Sequence, residues 1–326
     1  MIIARCPLRI SLGGGGTDLE SYYSKREGFL VAGAINKYIY VAIHRTFGEE
    51  IIAKYSQYEK TNSHTKLKHP IIKSVLELYA KDLKNLEITS FADIPGGTGL
   101  GSSSAFTNAL IKAVCSSKFD DISNEKLAER SCYIEIEKLQ EPIGKQDQYI
   151  TALGGVREFT FKKNGDVANK LVYKNIEDFQ EFSSSLVMVY TGKIRSASKI
   201  LSDQKIKSEA MDDEMMKNLD KTKELGKLSL QLIQNKEFNQ YGEAMHEHWV
   251  NKKKRSPGMT TQRIDELYEF GIASGANGGK VIGAGGGGFI LFQTDDRTNL
   301  VKKLKENSCR IIDFSFVSQG AEIINL

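Results

Sequence analysis

The sequence is poor in the features that mark several large protein classes. It has only four cysteines and five prolines in 326 residues, and no apolar run reaches the roughly 18 residues needed to cross a bilayer. Cys6, Cys115, Cys132 and Cys309 are far apart and form no CxxC pair. This pattern argues against a disulfide framework and predicts reduced core thiols in a cytoplasmic protein without a membrane partner. The first residues also lack a long apolar region, so we expect no signal peptide.

Strong charge and metal-binding histidines are missing as well. Lys plus Arg number 45 and Asp plus Glu 41, and the resulting net charge of +4 is too small to indicate a nucleic-acid partner. We interpret the basic run Lys252–Arg255 as a solvated helix face. His246 and His248 are two residues apart and would point to different sides of a helix, so we predict no histidine metal site.

A third absence concerns the stretch PGGTGLGSSSA at residues 95–105, which resembles a phosphate-binding loop without its lysine. The P-loop pattern would place that lysine at Ser102. The three serines lead into a predicted helix, whose N-terminus can bind phosphate through its free N–H groups. Capping that helix would need only one serine. A serine hydroxyl can also hold Mg²⁺, which would replace the missing positive charge.

A carboxylate partner for such a metal comes from the predicted helix at residues 124–140. Ala128, Cys132, Glu135 and Leu139 share one helix face, and that face is apolar except for the glutamate. A buried carboxylate needs a cation or hydrogen-bond donors. Glu135 is therefore predicted to bind Mg²⁺ or to pair with a lysine or arginine elsewhere, whereas Glu137 points away and is the weaker candidate.

Two aspartates each allow two interpretations. Asp147 follows a proline turn and is flanked by amides, so it could take a proton from an acceptor hydroxyl or cap a helix. Asp18 follows the strand-like and glycine-rich segment RISLGGGGTDL, and it could bind sugar hydroxyls or cap a helix beginning at Leu19. The residue pattern leaves both alternatives open.

Strand-like and helix-like segments alternate along the chain, which predicts an α+β fold in two domains, at 1–180 and 181–326. The second half has the pattern of a split βαβ arrangement. Glycines concentrate at 13–16, 96–101 and 283–288. The last cluster is too long for a plain hairpin, so we expect it to pack closely on a ligand or a neighbouring loop.

These segments together resemble the GHMP kinase superfamily, which includes galactokinase, homoserine kinase and mevalonate kinase. The hallmark loop P-x-G-x-G-L-G-S-S-S/A-A matches residues 95–105, while residues 9–18 and 283–288 resemble the first and last superfamily motifs. The resemblance implies a fold with a ribosomal protein S5 domain 2-like N-terminal domain and a ferredoxin-like C-terminal domain. It implies ATP binding by Pro95, Gly97, Gly99, Leu100, Gly101, Ser102, Ser103 and Ser104.

The resemblance also implies the remaining roles. Ser103 and Glu135 would ligate Mg²⁺, with Ser102 or Ser104 as weaker choices, and Asp147 would act on the acceptor hydroxyl. Substrate binding is expected from Arg9, Gly15, Gly16, Thr17, Asp18, Asp147, Arg195, Gly286 and Gly287.

The segments RISLGGGGTDL, IGKQDQY and YTGKIRSASKIL resemble the subgroup of sugar kinases that act on D-glycero-D-manno-heptose 7-phosphate. The implied reaction transfers the γ-phosphoryl group of ATP to the anomeric hydroxyl, as one step toward nucleotide-activated heptose. The sugar's own phosphate then needs a cationic site, for which Lys193, Arg195, Lys145 and Arg9 are candidates. A kinase of an unphosphorylated sugar such as fucose and a non-catalytic sugar and ATP sensor remain as alternatives, and a homodimer is left open.

Overall fold

The computed structural model describes residues 1–118, 120–173, 175–194 and 198–324. Its first half contains one sheet and the helices that cover it. The strands are β1 (Ile2–Gly13), β2 (Gly28–Arg45), β3 (Ile51–Lys54), β4 (Tyr58–Thr61), β5 (Leu86–Ala92), β6 (Val156–Phe161) and β7 (Val167–Leu171). The helices are α1 (Glu20–Tyr23), α2 (Pro70–Tyr79), α3 (Ser102–Ser116), α4 (Asn124–Cys132), α5 (Gln146–Leu153) and α6 (Ile176–Ser184).

The second half contains four more long helices, a shorter one and the remaining strands. The strands are β8 (Leu186–Tyr190), β9 (Gly278–Val281), β10 (Phe289–Gln293), β11 (Ile311–Ile312) and β12 (Glu322–Ile324). The helices are α7 (Ser198–Glu209), α8 (Asp213–Gln234), α9 (Phe238–Lys253), α10 (Gln262–Ala273) and α11 (Arg297–Glu306). None of the described helices combines the length and the apolar character that a bilayer crossing requires.

Strand β2 organises the N-terminal sheet. It pairs with β1 along most of its length, with β5 through its second half and with β6 through its first half. Strand β12 pairs with the outer side of β1, in the register Ile3 to Ile324. The end of the described chain therefore returns to the first sheet, and the predicted domain boundary near residue 180 stays a prediction.

The C-terminal sheet has the order β11-β8-β10-β9, with antiparallel neighbours throughout. Numbered within this half, the order is 4-1-3-2, which is the order produced by a βαββαβ ferredoxin-like chain. The predicted split βαβ arrangement is thus confirmed. Apolar side chains of this sheet, such as the fully buried Phe292 of β10, enter the core together with the fully buried Trp249 of α9.

The thiols behave as small apolar side chains. Cys6, Cys115 and Cys132 are buried and Cys309 is half-buried, all four without a disulfide. Burial raises the pKa of the Cys6 thiol to about 12, because the thiolate loses its hydration. The prediction of free core thiols is confirmed for the three buried cysteines.

The second and third glycine clusters pack on each other, backbone against backbone. A Cβ atom on Gly283 would lie 2.7 Å from the Cα atom of Gly99, and one on Gly288 would lie 2.1 Å from the carbonyl oxygen of Thr98. Both distances are too short for any side chain. The expected close packing on a neighbouring loop is confirmed, and it fixes the loop before α3 against the C-terminal sheet.

This packing predicts different costs for two alanine substitutions. Gly288 and Gly192 have nearly the same backbone angle, with φ of 82° and 85°, but no atom lies within 4 Å of a Cβ on Gly192. Gly192→Ala should lower the free energy of unfolding by about 1 kcal/mol, from backbone strain alone. Gly288→Ala should cost roughly 3 kcal/mol or more, because the clash with Thr98 adds to the strain. Equal urea midpoints for the two variants would contradict the close approach.

Candidate active site

The loop before α3 presents an uncapped helix N-terminus. Gly101 occupies the N-cap position in the left-handed conformation, and no side chain caps the helix. Pro95 and Gly97 are exposed, whereas Leu100 is fully buried and anchors the loop. The first N–H groups of α3 are therefore available to an anion, as the sequence predicted for phosphate.

The serines of this helix bind a buried carboxylate instead of capping. Ser103 Oγ donates to Glu135 Oε1 at 2.6 Å, and Ser104 Oγ donates to Glu135 Oε2 at 2.8 Å. Gln148 Nε2 donates to the same Oε2 at 2.8 Å. Glu135 is only 1% exposed, which confirms the predicted inward orientation.

Glu135 does not form an ion pair with any described lysine, arginine or histidine within 4 Å. Burial raises the pKa of its carboxyl group, with the three hydrogen bonds acting in the opposite direction. A buried carboxylate beside an exposed serine hydroxyl is a set of hard oxygen donors that suits Mg²⁺. These donors fit the predicted metal. Among the described residues there is no group of three or more acidic, histidine or cysteine side chains that could hold a metal, so the phosphates and water would have to supply the other ligands.

Glu137, the weaker metal candidate, does not point toward Ser103. Glu137 is exposed, and its carbonyl oxygen accepts a hydrogen bond from the Gln140 side chain. The reason lies in the helix itself, because α4 continues into a π-helical segment at Tyr133–Lys138. This wider turn still directs Glu135 into the protein and leaves Glu137 on the surface.

Asp147 lies beside the same helix N-terminus and is held by Arg9. Arg9 Nε and Nη2 donate to the two carboxylate oxygens of Asp147, both at 2.7 Å, and Arg9 Nη1 donates to the Gly99 carbonyl at 2.6 Å. A Cβ atom on Gly101 would lie 3.2 Å from Asp147 Oδ2. Asp147 is in the first turn of α5 but does not cap it, so the helix-cap interpretation is wrong. A bidentate pair of this kind fixes the carboxylate plane.

Asp18 connects two backbone segments. Its Oδ1 accepts from the Gly16 N–H at 3.0 Å and its Oδ2 from the Gln146 N–H at 3.1 Å. Helix α1 has Leu19 at its N-cap without a side-chain cap, so Asp18 does not cap that helix either. Burial, together with the negative charge of Asp147, raises the pKa of Asp18.

Asp18, Asp147 and Arg9 line one pocket between the two halves of the chain. Its walls come from β1, the first glycine cluster, the start of α5, and the C-terminal α9 and β9. Gly15 and Gly16 line it as well, in line with their predicted position. No residue from 95 to 104 is among the lining residues, so this pocket is next to the phosphate loop and separate from it.

The pocket contains polar atoms without protein partners. Six buried side-chain nitrogen and oxygen atoms of the described residues have no hydrogen-bond partner. Four of these six belong to pocket residues: Ser11 Oγ, Gln146 Oε1 and both ring nitrogens of His248. Buried polar groups are normally paired. This concentration indicates that the pocket receives a polar ligand.

Three further cations of this pocket were not predicted from the residue pattern. Lys252 and Arg255, at 7% and 5% exposure, are buried in its wall with His248 and the β9 residue Lys280. The interpretation of residues 252–255 as a solvated face is thus correct only for Lys253 and Lys254, which are exposed. The missed signal is the spacing of 248, 252 and 255, which places these side chains along one side of α9 and its C-terminal end.

Several predicted substrate residues lie away from the pocket wall. Thr17 is fully buried, and its hydroxyl contacts the carbonyls of Gly14 and Phe29. Gly286 and Gly287 are buried, whereas Gly283 and Ala284 of the same cluster line the pocket.

Of the four predicted phosphate cations, Arg9 lines the pocket, whereas Lys145 and Lys193 do not. Lys193 is exposed, and Lys145 donates to the Gly165 carbonyl at 2.6 Å. Arg9 is committed to Asp147, and Arg195 lies outside the described residues.

Comparison with known proteins identifies relatives along the whole chain. The family model described as GHMP kinases N terminal domain matches residues 70–155, and the one described as GHMP kinases C terminal matches residues 229–308. A protein of Campylobacter jejuni named D-glycero-alpha-D-manno-heptose 7-phosphate kinase is 28% identical, with 98% of each chain covered. The bifunctional fucokinase/GDP-fucose pyrophosphorylase of Arabidopsis thaliana is 25% identical over 89% of this chain and 29% of its own length.

Solved structures show the same fold. A crystal structure described as a D-glycero-D-manno-heptose 1-phosphate kinase, from Bacteroides thetaiotaomicron, superposes with a TM-score of 0.82 at 23% identity. The superposition covers 100% of this chain and 99% of that one. The predicted two-domain fold is therefore confirmed across the described chain.

Proposed function

Because the chain belongs to the GHMP kinase family and is an ATP-dependent sugar kinase, we propose that its acceptor is a heptose phosphate. The specific proposal is transfer of the γ-phosphoryl group of ATP to the anomeric hydroxyl of D-glycero-D-manno-heptose 7-phosphate, which gives the 1,7-bisphosphate. The relative from Campylobacter jejuni supports this acceptor through its name and its match along nearly the whole chain. We place the reaction in the cytoplasm, in line with the reduced thiols.

One observation carries the proposal: Asp147 lies both at the pocket, which we assign to the acceptor sugar, and beside the phosphate loop. Its carboxylate lines the pocket and also lies against Gly101, at the N-terminus of α3. Ser11 Oγ and Gln146 Oε1, which have no protein partners, line the same pocket and suit the hydroxyls of a sugar. A hydroxyl bound there would face both a proton acceptor and the bound phosphate chain.

The residues divide the work of phosphoryl transfer among them. The N–H groups at the start of α3 bind phosphate oxygens, and Arg9 holds the Asp147 carboxylate in a fixed plane. Asp147 Oδ2 accepts one hydrogen bond from Arg9 and has room for a second, from the acceptor hydroxyl. As the sugar oxygen bonds to the γ-phosphorus, the hydroxyl proton moves to Asp147 and the bond to the β–γ bridging oxygen breaks, releasing ADP.

Ser103 and Glu135 would hold Mg²⁺ in this proposal. Bound there, Mg²⁺ would neutralise the negative charge of the ATP phosphates, as a lysine does in a P-loop. Gln148 and Ser104 keep the Glu135 carboxylate oriented toward that position. Removing the metal with a chelator should therefore reduce phosphoryl transfer.

An acceptor panel tests the substrate. We expect ADP release with heptose 7-phosphate to show a kcat/KM at least about 10²-fold above those with unphosphorylated heptose and with fucose, because charge-assisted hydrogen bonds to the second phosphate are lost. The assay is coupled ADP detection at fixed ATP and Mg²⁺. Equal kcat/KM for fucose would favour the fucose-kinase alternative. Absence of turnover with every sugar, together with measurable ATP binding, would favour the sensor.

A further inference from the structure

We propose that Lys280 and His248, supported by Lys252 and Arg255, form the subsite that binds the second phosphate of the acceptor. The inference rests on the proposed function, because it concerns the part of the sugar phosphate that does not react. It assigns recognition of a dianionic phosphate to the C-terminal half of the chain, through α9 and β9.

Lys280 is the central residue of this subsite. It is 3% exposed and lines the pocket from strand β9. Among the described residues, no hydrogen-bond acceptor or carboxylate is bonded to its ammonium group, and the like charge of Arg9 destabilises the ammonium form. A buried cation without a counter-ion is costly. A phosphate dianion would supply both the missing charge and the missing acceptors.

His248 faces the same space from α9. Both of its ring nitrogens are buried without a partner. Burial and the charges of Lys280, Lys252 and Arg255 lower the pKa of its imidazole well below the ordinary value, so the ring is neutral and keeps one N–H donor. That donor can bind a phosphate oxygen.

Lys252 and Arg255 add charge and hold the subsite in place. Lys252 Nζ donates to the Val281 carbonyl at 3.2 Å and to the Gly283 carbonyl, which ties α9 to the glycine loop. Arg255 donates to neutral partners, among them Thr222 Oγ1 at 2.6 Å and the Gly15 carbonyl at 3.2 Å. Neither cation is bonded to a carboxylate of the described residues. Burial and the charges of Arg255, Lys280 and Arg9 lower the pKa of Lys252 well below its ordinary value, so an anion bound in the pocket would favour its charged form.

The charge balance of the pocket favours an anionic ligand. Its described lining residues include four cations, namely Arg9, Lys252, Arg255 and Lys280, and two carboxylates, Asp18 and Asp147. Arg9 and Asp147 neutralise each other. The excess positive charge therefore lies with Lys280 and its neighbours on and after α9, whereas no residue from 95 to 104 lines this pocket. This separation favours the acceptor's phosphate over those of ATP.

Acceptor discrimination in the variant Lys280→Met tests the subsite. The preference of the full-length enzyme for heptose 7-phosphate over unphosphorylated heptose, as a ratio of kcat/KM values, should fall by about 10- to 100-fold. Lys254→Met, which removes an exposed lysine of the same basic run, should leave the ratio unchanged. An equal loss for both acceptors would mean that Lys280 contacts ATP or only supports the fold, and would overturn the proposal.

Thermal unfolding tests the subsite without turnover. With ADP and Mg²⁺ saturating the nucleotide site, inorganic phosphate should raise the Tm of the wild type more than chloride at equal ionic strength does. Lys280→Met should lose this shift and should melt no lower than the wild type in chloride, because it removes a buried unpaired charge. A full phosphate shift in the variant would overturn the subsite. If the shift behaves as expected while heptose 7-phosphate is not turned over, the proposed substrate fails and the anion site stands.

The pH dependence of the wild-type enzyme gives a measurement that does not depend on a variant. Burial and the charge of Arg9 lower the pKa of Lys280 to about 7, so the ammonium form is present below that pH and is lost above it. The titratable and charged groups that line the same pocket are Arg9 on β1, Asp18 after the first glycine cluster, Asp147 on α5, and His248, Lys252 and Arg255 on and after α9. The kcat/KM ratio of phosphorylated to unphosphorylated heptose should therefore fall as the pH rises from 7 to 9. A flat ratio over this range would contradict a titrating lysine at the subsite.

Discussion

Asp147→Asn is expected to lower kcat by at least about 10²-fold, or about 2.7 kcal/mol of transition-state stabilisation. The amide has the size of the carboxylate but cannot take the acceptor proton, and it no longer neutralises Arg9. The affinity for ATP should change little, because we assign phosphate binding to the N–H groups of α3, whereas Asp147 is bonded to Arg9. Steady-state kinetics, with ATP binding measured by calorimetry, checks both parts.

A matched control separates this effect from a general loss of an aspartate. Asp121 is fully exposed on the surface and lies 3.8 Å from Lys112, so Asp121→Asn should retain wild-type kinetics. Because Asp147→Asn leaves the buried Arg9 with a weaker partner, its Tm should also fall, and the assay must be run well below that temperature. Wild-type turnover in a folded Asp147→Asn enzyme would remove Asp147 from the proposed chemistry.

The second large effect is expected for Glu135→Gln. The change keeps the shape of the side chain but removes the charge that we propose for Mg²⁺ binding. Loss of a residue that only orients a metal ligand typically lowers metal affinity or activity by about 10- to 100-fold. Loss of a direct ligand should therefore raise the half-activating Mg²⁺ concentration at least about 10-fold and also lower kcat. Activity over a Mg²⁺ titration measures the shift, and calorimetry of ADP with and without Mg²⁺ gives an independent readout.

Glu137→Gln is the natural control for that variant. Glu137 is two residues away on the same helical segment and is exposed, so its Mg²⁺ titration should coincide with that of the wild type. Coinciding curves for Glu135→Gln and the wild type would show that Glu135 has a structural role, held by its three hydrogen bonds.

The central site was largely predictable because its signals are local. The helix after residue 101 follows from the serines and the apolar run, and the inward position of Glu135 follows from helical spacing alone. The helix changes from α to π at Tyr133, but Glu135 still points inward and lies on the same side as the buried Ala128 and Cys132. The proximity of Ser103 to Glu135 was predicted from the resemblance to the GHMP kinases, which assigned both residues to the same Mg²⁺.

Other elements were not predictable, because distant contacts decide them. Strand β2 spans Gly28–Arg45, and its first half contains the small residues Ala32, Gly33 and Ala34. Its first half is held by β1 and β6 on either side, so it tolerates small residues that a lone strand would not. Strand β12 is only three residues long and exists through pairing with β1.

Local residue patterns were enough to predict the phosphate loop, the inward carboxylate at Glu135 and the alternating elements of both sheets, because glycine conformation, helix capping and periodicity act over a few residues. Long-range contacts, by contrast, determine where Asp147, Asp18 and the basic run lie. Arg9 is 138 residues from the aspartate that it holds, and Lys280 meets His248 only where β9 packs on α9. Whether a lysine faces water or a buried pocket depends on what packs against it, and that is a property of the fold.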